Sequence, residues 1–375
     1  MAKARKDAFK KLTRVVIAVA VLAVLFAAAT VWIDKLYTSE RESAEAARAA
    51  TNSELIRQHA EAEREYLDAT RVVVDDSWPT PVGTGIEILD LTGYGLKSTR
   101  TVNVSRSELL SSGMLLLNRW HSLPSDFPES EIVSIVSVNN SIPVSGSSVK
   151  LFPVAISAIS EMLHAAAENG LENYLIHQGY RTMTEQTSLY QAEEARYSSR
   201  YSGDALVEKV TANVNYPGTS EYQSGLSFQI GRWRKDDAEF NKARFEDTAH
   251  SDWLVENCWK YGFVFRFPVT GYPNATVIDK SFKTGESKQL RIYRYVGQPN
   301  AAVMHAMGFC MEEYIEYLAA HPHIAYYEDG VLKYEIQRIS GGDTASDVSV
   351  QVTQNCSTWV VSSDNMGGII IAMVY

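Results

Sequence analysis

The segment SEYQSGLSFQ (residues 220–229) leads into a predicted β-strand at 225–231. A second short strand is predicted at 291–296. Helices are predicted at 154–169, where apolar residues recur at helical spacing, and at 185–196. Alternating helices and a few antiparallel strands predict an α+β fold in which helices pack on a small sheet.

This segment resembles the S-x-H-x-x-G-x-A-x-D motif of the VanY-type zinc D,D-carboxypeptidases, which trim D-alanine from peptidoglycan stem peptides and have a LAS-type metallopeptidase fold. Ser220, Gly225 and Ser227 occupy the Ser, Gly and Ala positions of that motif. Tyr222 stands at the position of the ligand His, and Gln229 at the position of the ligand Asp. The spacing of a zinc site is therefore present without its ligands.

Four further blocks extend the resemblance over residues 113–322, in the order expected of the family. They are GMLLLNRWHSLPSDF (113–127), QGYRTMTEQTSLY (178–190), WLVENCWKYGFVFRFP (253–268) and RYVGQPNAAVMHAMGFCMEEYIEYL (294–318). Together they predict a VanY-like domain at 113–322.

The last block is similar to the second half of the family's metal site, E-x-x-H-W-R-Y-V-G, in which Glu is the general base and His the third zinc ligand. Aligned on Arg294, it puts Gln289 at the base position and Ile292 at the ligand position. A catalytic zinc needs about three protein ligands and a bound water, which a phenol, an amide and an isoleucine do not supply. Glutamine does not accept the proton that a general base takes. The resemblance implies zinc, but these residues predict no zinc cofactor and no catalytic base.

The resemblance also implies a substrate-binding wall. Arg181 stands where the family has an arginine that engages the substrate's peptide and terminal carboxylate, and a guanidinium fork suits a carboxylate. Ser220, Gln186 and Tyr190 match the family as well and offer hydroxyl or amide groups. The alternative for Arg181 is a structural role, in which it hydrogen-bonds the backbone carbonyls of its own turn.

The N-terminus has the pattern of a membrane anchor. Residues 1–14 carry six Lys or Arg and one acid, and residues 15–33 contain no charge. A helix of that length spans about 28 Å, close to the hydrocarbon core of a bilayer, and its basic flank predicts a cytoplasmic N-terminus and an extracytoplasmic remainder. A cleavable signal peptide ending near Ala29 is the alternative, although the apolar run continues to Ile33.

The formal net charge of −10 becomes about −15 when the N-terminal +5 is removed, which argues against nucleic acid as a partner. Residues 34–71 are rich in Ala, Glu and Arg and predict a helical stalk. Residues 72–112 predict a β-rich lead-in, and residues 323–375 a small C-terminal β-module whose apolar end needs burial. The three cysteines (Cys258, Cys310 and Cys356) cannot all pair within one chain, and Cys258 and Cys310 are predicted to be buried thiols.

Three functions fit this sequence. One is a degenerate, membrane-anchored relative of the carboxypeptidases that binds peptidoglycan stem peptides or regulates a wall enzyme. Another is an active D-alanyl-D-alanine carboxypeptidase with an unrecognised metal site, although no H-E-x-x-H or Cys-pair pattern occurs. The third is a structural or partner-binding scaffold at the cell surface.

Overall fold

The computed structural model describes residues 57–58, 78–273, 275–287, 291–341 and 346–375. The predicted cytoplasmic segment (1–14) and membrane anchor (15–33) lie outside these residues. So does the predicted stalk (34–71), apart from Arg57 and Gln58, which are helical. Within the part of the chain that is described, no helix is both long enough and apolar enough to cross a membrane.

Strands and helices are interspersed up to residue 320, and five consecutive strands follow. The strands are β1 (Ile86–Asp90), β2 (Thr99–Val104), β3 (Val133–Ser134), β4 (Lys150–Leu151), β5 (Tyr174–Gln178), β6 (Ser227–Arg232), β7 (Phe263–Phe265), β8 (Ile292–Tyr295), β9 (His323–Glu328), β10 (Val331–Ser340), β11 (Val348–Thr353), β12 (Thr358–Ser363) and β13 (Gly368–Val374). The α-helices are α1 (Arg106–Ser111), α2 (Ile135–Val138), α3 (Pro153–Glu168), α4 (Met183–Tyr197), α5 (Gly203–Thr211), α6 (Ala238–Lys242), α7 (Ala249–Asn257), α8 (Ser281–Thr284), α9 (Gln298–Met307) and α10 (Met311–Ala320).

A four-stranded antiparallel sheet, in the order β5-β6-β8-β7, forms the centre of the VanY-like region. The apolar face of α3, including Ile156 and Ile159, shares one core with Phe228 of β6 and Tyr293 of β8. The predicted helices and strands of this region are confirmed as α3, α4, β6 and β8. Helices on an antiparallel sheet are the predicted α+β arrangement.

The lead-in and the C-terminal module meet in a second sheet. Strand β1 of the lead-in pairs with β9 of the tail, and the full strand order is β1-β9-β10-β13-β12. Strand β2 pairs with β11 in a separate two-stranded ribbon. The segments that the sequence presents as two modules are therefore one β-unit. Its last strand, β13, is paired on both sides, which buries the apolar C-terminal run.

Helices α9 and α10 connect the two sheets through a shared apolar core. That core joins Met114 and Val296, from the VanY-like region, to Ile324, Ile336 and Ile370 of the β-unit. The β-unit is thus packed on the VanY-like region rather than tethered to it. Cys258 and Cys310 are buried free thiols, as predicted, and Cys356 is a buried free thiol as well.

Candidate functional site

A short 3-10 turn, Glu221–Ser224, presents the first half of the site. The turn ends at Gly225, whose φ of +67° is left-handed, and β6 begins two residues later. A Cβ at Gly225 would lie 2.7 Å from Ile132 Cδ1 and 2.8 Å from Phe152 Cδ2. Glycine is required here by both the backbone conformation and the close packing.

Replacing Gly225 with alanine is expected to destabilise the protein by about 2–5 kcal/mol, because a left-handed alanine costs about 1–2 kcal/mol and overpacking adds about 1–3 kcal/mol. Gly170→Ala is the matched control, since Gly170 has a φ of +77° but nothing within 4 Å of its absent Cβ. Urea unfolding of both variants separates the two costs. An equal loss of unfolding free energy in the two variants would show that crowding at Gly225 contributes nothing.

The turn and the sheet bring the three ligand positions of the motif together. Tyr222, Ile292 and Phe267 form a small buried apolar cluster. Gln229 on β6 lies directly opposite Ile292 on β8 in the antiparallel register. Burial raises the pKa of Tyr222 to about 12, so its phenol stays protonated at neutral pH. The centre of the site is therefore neutral and largely apolar.

These residues do not fit a zinc ion. Ile292 has no donor atom, a neutral phenol and an amide are poor zinc ligands, and a zinc site is built from thiolate, imidazole or carboxylate groups. Among the described residues, no three His, Cys, Asp or Glu side chains are grouped so that they could hold a metal ion. Gln289, at the general-base position, lies outside the described residues.

Arg181 is the cation of the site. Its guanidinium carbon lies 4.7 Å from the centre of the Tyr222 ring, a cation–π contact. Its Nη1 donates to Gln186 Oε1 at 2.7 Å, and the buried Gln186 amide donates in turn to the Asn215 carbonyl at 2.6 Å. No carboxylate in the described part of the chain forms an ion pair with Arg181. A half-buried guanidinium that is held in one orientation and forms no ion pair among the described residues is suited to an anionic ligand.

The structure separates the other two predicted binding residues. Ser220 is fully buried beside Tyr222, and its hydroxyl has no hydrogen-bond partner among the described residues. Tyr190 packs with Leu206 and Val210, and its ring contacts Tyr216 edge-on at 5.3 Å. Arg181, Gln186 and Ser220 thus lie near Tyr222. Tyr190 instead packs against α5 and Tyr216.

A buried network of four charged residues adjoins the site: Glu221, Arg266, Arg294 and Glu312. Glu221 accepts from Arg266 Nε at 2.8 Å and from Arg294, and Arg266 also bonds Glu312 at 2.8 and 3.0 Å. Burial alone would raise the pKa of Glu221, but the two guanidinium groups and hydrogen bonds from Ser227 and Arg294 outweigh it and hold the pKa below its usual value. The network ties the turn that carries Tyr222 to β8 and α10.

Sequence reasoning missed this network because charged residues are usually exposed. The available signal was the position of Arg266 and Arg294, each within an otherwise apolar or aromatic run (FVFRFP and IYRYV). A charged residue within such a run lies either at the edge of a sheet or in the interior, where its charge is paired.

Comparisons with known proteins agree with this fold. The family model for VanY, D-alanyl-D-alanine carboxypeptidase, matches residues 148–280. A D-alanyl-D-alanine carboxypeptidase of Enterococcus faecium is 26% identical over 280 residues, which cover 74% of this chain and 80% of that protein. The putative carboxypeptidase YodJ of Bacillus subtilis is 30% identical over 203 residues, which cover 54% of this chain and 67% of that protein.

A solved structure shares the architecture. The vancomycin-resistance D,D-dipeptidase VanXYg, in complex with a D-Ala-D-Ala phosphinate analogue, superposes with a TM-score of 0.57 at 20% identity, covering 74% of this chain and all of that one. The two chains therefore share one fold. The chain belongs to the VanY D-alanyl-D-alanine carboxypeptidase family.

Proposed function

We propose that this protein is a catalytically degenerate VanY-family member that binds the D-Ala-D-Ala end of peptidoglycan stem peptides without cleaving them. The observation that carries the proposal is Arg181, whose half-buried guanidinium is oriented by Gln186 and Tyr222 and has no ion-pair partner among the described residues. The free carboxylate of a peptide C-terminus supplies the missing counter-charge.

Absence of catalysis follows from the chemistry of the residues at the ligand and base positions of the motif. Peptide hydrolysis by this family requires a metal-activated water and a base that takes its proton. Tyr222, Gln229 and Ile292 provide no ligand set for the metal, and Gln289 provides no base. The peptide is therefore held at its terminal carboxylate while its last amide bond stays intact.

The predicted anchor at 15–33 would hold the domain on the outer face of the membrane, with the stalk at 34–71 as a spacer. A binding protein in that place reports on or sequesters uncleaved stem peptides, or regulates an enzyme that acts on them. An active D-alanyl-D-alanine carboxypeptidase remains the alternative, with a metal site formed by residues other than these four.

Titration of the ectodomain with acyl-D-Ala-D-Ala tests the proposal by calorimetry. Arg181→Ala is expected to weaken binding about 10- to 100-fold, because a hydrogen-bonded charge pair contributes about 1.5–3 kcal/mol. The same peptide with a C-terminal amide is expected to bind the unmodified protein as weakly as the acid binds the variant. Arg196→Ala is the matched control, since Arg196 is an exposed arginine near the end of α4, the helix that follows Arg181, and it pairs with Glu193 of that helix.

Two outcomes would reject the proposal. Stoichiometric zinc in the purified ectodomain, together with release of D-alanine from a pentapeptide, would establish the active enzyme. A folded protein with no measurable affinity for the peptide acid would favour the surface scaffold.

A further inference from the structure

Trp120 stands at the tip of a tightly held turn and remains 44% exposed. Asn118 and His121 pair across the turn. The Asn118 Oδ1 atom accepts from the Trp120 and His121 amides at 3.0 and 3.1 Å. The side-chain amide of Asn118 donates to the buried Glu312 at 3.0 Å. The turn is therefore rigid, and it holds a large aromatic ring in solvent.

Phe282 is a second exposed aromatic residue, 69% accessible, on the short helix α8. Lys280 and Lys283, on either side of it, form ion pairs with Glu313 and Glu316 of α10, both within 2.7 Å. This helix is thus fixed to the protein at two points, while its aromatic residue faces away from the core.

The two aromatic segments touch at Gly285. A Cβ there would lie 2.7 Å from Arg119 Cδ and 3.2 Å from the Trp120 ring. Gly285 immediately follows α8, so the Trp120 turn and the Phe282 helix form one continuous surface. We call Trp120 and Phe282 the aromatic rim.

The aromatic rim adjoins the candidate site. The Leu123 amide, three residues after Trp120, donates to the Gly218 carbonyl at 2.7 Å, two residues before Ser220. Through Asn118, the same turn joins the buried network that holds Glu221. The rim therefore borders the turn that carries the ligand positions of the motif.

We propose that the aromatic rim binds the glycan of peptidoglycan, by stacking on the sugar that carries a stem peptide whose D-alanine end occupies the Arg181 site. This inference rests on the proposed function. A sugar ring has one face of C–H groups and an edge of hydroxyls, which matches an exposed aromatic ring beside the polar Arg119. An extended five-residue stem reaches at most about 18 Å, so the sugar lies close to the mouth of the site. Rings held in place before binding lose little entropy when the sugar arrives.

Isolated exposed aromatic residues are common, but two that share one rigid surface at the edge of a binding site are characteristic of ligand contact. Trp233 provides the comparison within the same domain. It is 51% exposed and follows β6, at the end of that strand away from the 3-10 turn. No glycan contact is expected there.

The test compares two ligands of identical peptide sequence: a free pentapeptide ending in D-Ala-D-Ala, and the same pentapeptide on an N-acetylglucosamine–N-acetylmuramic acid disaccharide. The disaccharide is expected to increase affinity about tenfold. Trp120→Ala and Phe282→Ala should each remove most of that gain and leave binding of the free pentapeptide within about twofold. Trp233→Ala should preserve the gain. Thermal melts check that each variant is folded.

The outcomes separate this inference from the proposed function. Equal affinity for the two ligands, with Arg181→Ala still weakening both, would overturn the glycan contact and leave the proposed function standing. If Trp120→Ala loses affinity for both ligands, the rim is part of the peptide site and the glycan contact is rejected. If neither ligand binds the unmodified protein, the proposed function itself fails. Rim-dependent binding to anionic phospholipid vesicles without a disaccharide effect would identify a membrane contact instead.

Discussion

Replacing Glu221 with alanine is expected to destabilise the protein by about 3–5 kcal/mol, because it leaves Arg266 and Arg294 buried with part of their charge uncompensated. Both arginine side chains are fully buried, and Glu221 is the carboxylate that bridges them. In a domain of this size the loss corresponds to a fall in melting temperature of about 10 °C. Thermal and urea unfolding measure this loss directly.

The pH dependence has a definite sign. The pKa of Glu221 is held below its usual value in the folded protein. The Glu221 carboxylate therefore contributes its full stabilisation at pH values above the pKa that it has in the unfolded chain. It is lost as the pH falls through the folded pKa. The stability difference between the unmodified protein and Glu221→Ala should therefore shrink in acid.

Glu239→Ala provides the matched control, since Glu239 pairs with Lys242 on the surface with 85% of its side chain exposed. Surface pairs contribute little to stability, so its unfolding midpoint should not move. An unchanged midpoint in Glu221→Ala would mean that the buried network is not what holds the Tyr222 turn in place.

Restoring the family's residues is expected to create a zinc site. The variant carries Tyr222→His, Gln229→Asp and Ile292→His, with Gln289→Glu at the base position. Residues 229 and 292 are already direct cross-strand partners, and the side chain of residue 222 contacts that of residue 292. After dialysis, mass spectrometry should find about one zinc per chain, against none in the unmodified protein.

Two controls make the zinc result specific. Keeping Ile292 while making the other three changes leaves two ligands, and this variant is expected to lose its zinc on dialysis. A variant with the three ligand changes but with Gln289 unchanged should bind zinc without releasing D-alanine, because the base is absent. A folded quadruple variant that binds no zinc would show that the backbone of the site differs from that of a metal site.

Local sequence patterns predicted the elements of the VanY-like region well. Helix α3 has apolar residues at helical spacing, and α4 begins with a capping box in which Thr182 and Glu185 satisfy each other's backbone amides. Such signals depend on neighbours in the chain, so the sequence contains them directly. The predicted binding wall of Arg181, Ser220, Gln186 and Tyr190 came from the resemblance to the family's blocks, and the structure places Tyr190 away from the other three.

Long-range pairing was not predictable in the same way. Strand β1 pairs with β9 more than two hundred residues later, and nothing within either strand identifies its partner. For the same reason the lead-in and the C-terminal module were described as separate segments, although they share one sheet. The rigid rim of Trp120 and Phe282 depends equally on contacts between distant parts of the chain.

The sequence by itself determined which side chains stand at the ligand and base positions of the motif. An isoleucine has no lone pair for a metal in any conformation, and a glutamine takes up no proton at neutral pH wherever it lies. Tertiary structure alone decided that Glu221 and its two arginines are interior, that Arg181 stacks on Tyr222, and that Trp120 borders the site. Donor atoms belong to the residue, whereas burial and charge pairing depend on which distant residues the fold brings together.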